Sequence, residues 1–110
     1  MTTKQITAEL LALVAERFKA LGEPARLRIL NELRHGEATV SDLSDATGMG
    51  HANISKHLQL LHALHFVARR KDGLYVHYAI ADDSVFALCD IMCGRIAENA
   101  LERRRIAVGR

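Results

Sequence analysis

The chain has 110 residues, 49% of them hydrophobic and 25% charged, with a formal net charge of +2. That length suits one domain with its own core, and the modest charge excludes a disordered polyelectrolyte or a non-specific nucleic-acid coat while leaving room for one basic face. Cys89 and Cys93 are too few for a disulfide framework, no secretory leader is legible, and no apolar run approaches the ~20 residues of a membrane span, so the expectation is a reduced, cytoplasmic protein.

Residues 7–21 predict a first helix, because Leu10, Leu11, Leu13, Val14, Phe18 and Leu21 recur at spacings of three and four. Gly22 is a stop signal, and Pro24 suits the first position of a second helix, where a backbone N–H is not needed. Ala25–Leu33 continue that helix with Leu27, Leu30 and Leu33 on one stripe, and Gly36 ends it. Ser41 is the expected N-cap of a third helix that turns Leu43 and Ala46 inward. Gly48-Met49-Gly50 forms a turn. A fourth helix follows from His51 or Ala52 to about Leu64, with Ile54, Leu58 and Leu61 on its buried side. Phe66–Lys71 and Leu74–Ile80 alternate like strands, and Asp72-Gly73 between them is a strong two-residue hairpin signal. Asp82 or Asp83 caps a last helix running to about Ile106. The order is ααααββα, a mostly α fold with a β-hairpin wing.

A short helix, a glycine turn, a helix with a polar face and a basic hairpin together form a winged helix-turn-helix, whose common use is binding duplex DNA. The polar face offers His51, Ala52, Asn53, Ser55, Lys56, His57 and Gln59. Asn and Gln pair with adenine's major-groove edge, Lys meets guanine or phosphate, Ser and His hydrogen-bond either, and Ala52 suits a thymine methyl. From 51 to 80 the only acid is Asp72. Arg69, Arg70 and Lys71 on the hairpin are candidates to grip phosphate or the minor groove. Arg26 and Arg28 can each pair with an acid such as Glu23 or Glu32, or hold a phosphate.

Three motifs carry a resemblance to a known family. The run 18–30 reads FKALGEPARLRIL, 55–58 reads SKHL, and 69–73 reads RRKDG. The chain resembles the ArsR/SmtB winged-helix repressors over nearly its whole length. The resemblance implies a single domain over 1–110, with the helix-turn-helix at 41–64, the wing at 66–80, and helices at 7–21 and 82–106 joining a homodimer. It implies repression by binding a palindromic double-stranded DNA operator, with recognition helices about one DNA turn apart, ~34–36 Å.

The family's metal sites transfer poorly to this sequence. Thiols at the start of the third helix are missing from Thr39–Leu43. The carboxylate–imidazole site of the last helix maps onto Asp82, Ser84, Arg95 and Glu98, where Ser84 and Arg95 stand in place of histidines. A second-helix cysteine used for sulfide or redox sensing corresponds to Asn31. No metal site is therefore assigned. His62 and His65, three apart with no third ligand nearby, read as solvated or phosphate-facing imidazoles rather than a metal pair.

Cys89 and Cys93 remain, on a stripe with Val85, Ile96 and Ala100. Two readings stand open: packing as small hydrophobes, or a thiol sensor for a soft metal, arsenite or reactive sulfur. Helical i,i+4 residues hold Cβ atoms ~5–6 Å apart, beyond the ~3.5–4.5 Å of a disulfide. A bridging soft ion or sulfur fits better than a direct bond. A winged-helix protein-contact module is the competing class. No Ser/His/Asp set, phosphate loop or carboxylate pair suggests an enzyme.

Overall fold

A computed structural model describes residues 5–108. The remaining ends of the 1–110 span lie outside the described residues. The element order is α1 Ala8–Leu21, α2 Pro24–Leu33, α3 Val40–Thr47, α4 His51–Ala63, β1 Val67–Asp72, β2 Tyr75–Ile80 and α5 Ser84–Val108. This is the expected ααααββα arrangement of a winged helix-turn-helix.

The helix boundaries follow from their caps. Thr7 accepts a hydrogen bond from the Leu10 N–H at the start of α1. Glu23 accepts from Ala25 N–H at the start of α2, with Pro24 in the first turn. The cap of α3 corrects the expectation of Ser41: Thr39 occupies that place and forms a capping box with Asp42. Each side chain satisfies the other's backbone N–H, so the two-sided box wins over the single hydroxyl of Ser41. Leu43 is buried as expected, but Ala46 is exposed and Thr47 takes the second inward place. On α2 the fully buried stripe is Ile29, Leu30 and Leu33, while Leu27 is only half-buried.

The end of α4 carries a Schellman motif. The Phe66 N–H reaches Leu61 O at 2.9 Å and His65 N–H reaches His62 O at 3.0 Å. His65 sits in the left-handed region at φ 66°, a slot glycine usually fills. The hairpin turn also moves by one residue. Asp72 pairs with Tyr75 as the last rung of the antiparallel ladder, so Gly73-Leu74 make the turn. Gly73, at φ 61°, supplies the positive first position that two-residue hairpin turns require.

One core joins α2, α3, α4, the base of the wing and the start of α5. Ile29, Leu30, Leu43, Ile54, Leu58, Leu61, Val67 and Val85 are all fully buried within it. The loop between α2 and α3 adds a rung to the wing: Ala38 exchanges backbone hydrogen bonds with Tyr78 at 2.9 and 2.8 Å. The helices at the two ends behave differently. On α1 only Ala20 is buried, and Leu10, Leu11, Leu13, Val14 and Phe18 are open. On α5 every described side chain from Gly94 to Ile106 is exposed. The radius of gyration is 17.7 Å, against ~13 Å for a compact chain of similar length.

Candidate nucleic-acid interface

The two helices of the motif are locked by side chains in and beneath their turn. Gly48 takes φ 76° to end α3. Thr47 Oγ1 donates to Leu43 O at 2.7 Å and accepts from Met49 N–H at 3.2 Å. Ser44 Oγ donates to Met49 O at 2.7 Å. Arg28 Nη2 donates to Thr47 O at 2.7 Å, tying α2 to the negative end of α3. Sequence reasoning missed Ser44 and Thr47, whose signal was a hydroxyl pair flanking the end of α3.

Arg26 performs the same service for α1. Its Nε donates to Ala20 O at 2.6 Å and its Nη2 to Lys19 O at 3.3 Å. Neither Arg26 nor Arg28 pairs with Glu23 or Glu32; both hold carbonyls at helix ends. Arg26 Nη1 also lies 3.2 Å from His57 Nδ1 on α4. Because a guanidinium only donates, Nδ1 must be unprotonated and the ring proton sits on Nε2. Burial pushes the His57 pKa down, and the neighbouring Arg26 charge pushes it further, against a small upward pull from Glu23.

The geometry divides the proposed readers of α4. Ile54, Leu58 and Leu61 anchor one side in the core. His51, Ala52, Asn53, Lys56 and Gln59 are exposed on the other side. Ser55 is half-buried, and His57 is half-buried against Arg26. A rigid helix thus presents amide, ammonium and imidazole groups outward, with no acid on its surface.

The three wing cations do not share one face. In the ladder Val67 faces Ile80, Arg69 faces Tyr78, and Lys71 faces Val76. Cross-strand partners share a face, so Arg69 and Lys71 lie on the core side of the hairpin, where both remain exposed beyond the core's edge. Arg70 is on the opposite face with His77, where it pairs with Glu37 and lies 3.6 Å from the Asp72 carboxylate. The Arg70 hydrogen bond holds the Glu37 carboxyl below the usual carboxylate range.

The last helix fits a carboxylate–imidazole metal site badly. The Asp82 carboxylate is occupied as a cap, accepting from the Ser84 hydroxyl at 2.6 Å and the Ser84 N–H at 3.0 Å. Those bonds lower its pKa. Arg95 pairs with Glu98 at 3.4 Å. Among the described residues no group of three or more His, Cys, Asp or Glu side chains converges to hold a metal. Cys89 is half-buried and Cys93 exposed, and both open onto one crevice of about 240 Å³ between α2 and α5, with Leu30, Asn31, Arg34 and Phe86 on its walls. The Arg34 guanidinium stacks 4.4 Å above the Phe86 ring.

Comparison with known proteins adds independent findings. A family profile described as bacterial regulatory protein, arsR family, matches residues 23–69, from the cap of α2 to the wing. The transcriptional repressor SmtB homolog of Synechocystis sp. is 33% identical over 90 residues, covering 77% of this chain and 68% of that protein. The homodimeric winged helix-turn-helix DNA-binding domain Mb0332 of Mycobacterium bovis superposes with a TM-score of 0.72 at 35% identity, covering 86% of this chain and 91% of that one. The antimony-specific transcriptional repressor AntR superposes with a TM-score of 0.75 at 30% identity, covering 92% of each chain. The chain spans about two thirds of the length of the curated relatives it matches.

Proposed function

The chain belongs to the ArsR family of winged helix-turn-helix transcriptional regulators, a non-enzymatic class, and from that premise we propose that it is a homodimeric repressor of a palindromic duplex operator. The observation that carries the reading is the exposed, acid-free face of α4 beside the exposed cations Arg69 and Lys71. Asn53, Lys56 and Gln59 read base edges, and Arg69 and Lys71 grip the backbone. A relative named as a repressor and a homodimeric structural neighbour support the reading.

Gel-shift titration against the chain's own promoter tests it. Lys56→Ala and Gln59→Ala each weaken specific binding by about 1–3 kcal/mol where the residue meets a base, and weaken random-sequence binding less. Binding that ignores salt and prefers no site sinks the reading and favours a protein-contact module.

The shared crevice of Cys89 and Cys93 favours a thiol-based inducer site. Both thiols open onto one space between α2 and α5, so a soft metal, arsenite or reactive sulfur species can engage them together. AntR, a repressor specific for antimony, supports a soft or thiophilic ligand class. Native mass spectrometry after separate exposure to arsenite, zinc and persulfide, with paired gel shifts, identifies the ligand. Cys89→Ser with Cys93→Ser retains apo DNA binding and loses the response; a retained response places the sensor elsewhere.

A further inference from the structure

Arg69, Arg70 and Lys71 are adjacent in sequence, yet only one of them has acidic partners among the described residues. Arg70 donates to Glu37 Oε1 and approaches Asp72 at 3.6 Å. His77 Nδ1 stands 3.9 Å from the same Glu37 oxygen. The backbone fixes Glu37 there, because its neighbour Ala38 is hydrogen-bonded both ways to Tyr78 on β2. The loop between α2 and α3 therefore runs as a third edge along the wing and delivers one carboxylate to one wing cation.

We propose that Glu37 holds Arg70 out of the DNA-backbone grip, so that each wing meets phosphate with Arg69 and Lys71 alone. This rests on the DNA-binding reading above. Net charge matters here more than bond strength. A half-exposed ion pair is weak, and Arg70 can swing free of it. The Glu37 carboxylate stays behind, anchored through Ala38, and repels the phosphate that Arg70 approaches. The pair adds no net positive charge in either geometry, and the salt dependence of DNA binding counts phosphates neutralised.

Glu37→Gln removes the Glu37 charge and keeps its shape, while Asp72, 3.6 Å from Arg70, is unchanged in every protein compared and so does not enter the difference. Affinity for a random-sequence duplex is measured by fluorescence anisotropy across a salt series, beside the wild-type protein. The expected result is tighter binding at low salt and a log–log salt slope steeper by about 0.9 per protomer. Adding Arg70→Ala to Glu37→Gln returns the slope to the wild-type value. An unchanged or shallower slope in a Glu37→Gln protein with the wild-type circular dichroism overturns the proposal. If the wild-type protein shows no salt-dependent binding to duplex DNA, the DNA-binding reading itself falls, and this proposal with it.

Discussion

His57 shows how far a single residue can depart from the role its position suggests. It lies within the stretch 51–59 that faces DNA in the sequence reading, yet its Nδ1 is spent on Arg26. A periodicity argument sees only which helix face a residue shares, and His57 falls at the boundary between faces. The same limit applies to Arg26 and Arg28, whose carbonyl partners lie in other helices and leave no local pattern. The His57 contact has a consequence for pH. Its native pKa lies below the ordinary 6.5, first through burial and then through Arg26, with Lys56 adding to the effect and Glu23 opposing it. The unfolded chain therefore binds the proton more readily than the native one, and stability rises with pH across that interval. The contribution is complete above 6.5 and is lost as the pH falls toward the depressed native value. Thermal melts from about pH 7.5 down to about pH 5.5 are expected to show a falling midpoint in the wild-type protein and a smaller fall in His57→Gln. Equal falls in the two proteins contradict this account.

At the scale of elements, the sequence was legible where periodicity and glycine chemistry agree, and misleading where two polar candidates compete. The four helices before the wing, the Gly48 turn and both strands emerge from apolar spacing and turn residues alone. The start of α3 does not, because Ser41 and Thr39 are both good caps and only the reciprocal bond from Asp42 decides between them. The hairpin slipped by one residue because Asp-Gly and Gly-Leu both satisfy a two-residue turn, and register decides which is used. The proposed readers of α4 were legible as an exposed polar face, while the split of the wing cations needed the register and the position of Glu37. The turn itself yields a graded prediction. Thr47→Val removes two hydrogen bonds and strands the part-buried Met49 N–H, at a cost of about 1–3 kcal/mol. Gly48→Ala meets nothing within 4 Å of the added methyl, so only the left-handed backbone opposes it. That cost is roughly 1 kcal/mol, being the left-handed penalty less the unfolded-state entropy that alanine removes. Urea titrations are expected to rank Thr47→Val below Gly48→Ala and both below wild type; a reversed order means the hydroxyl network contributes little.

At the scale of the molecule, the apolar stripe of α1 and the outer apolar side chains of α5 are left largely uncovered among the described residues. Phe18 is 58% exposed, Ile91 65% and Ile96 62%, a run of open apolar surface out of place in a monomer that buries Ile29, Ile54, Leu58 and Leu61 completely. An isolated helical segment of about 14 residues is marginal in water, so the far half of α5 needs a second surface to pack on. A second copy supplies one that is apolar and matched to it by symmetry, in keeping with the homodimeric structural neighbour. For the proposed repressor the same pairing governs DNA binding, because two recognition helices reach one operator together only when a dimer holds them about one DNA turn apart, ~34–36 Å. Phe18→Glu with Ile91→Glu places charge on the open faces of α1 and α5, away from the α4 surface and the wing. Light scattering is expected to show a monomer that keeps the wild-type circular dichroism over the core helices. Each monomer then binds a half-site alone, and operator affinity falls by roughly 10²–10⁴, the gain that tethering two sites normally provides. A variant that stays dimeric, or a monomer that binds the full operator as tightly as the wild type, rules out these two helices as the joint that couples the half-sites.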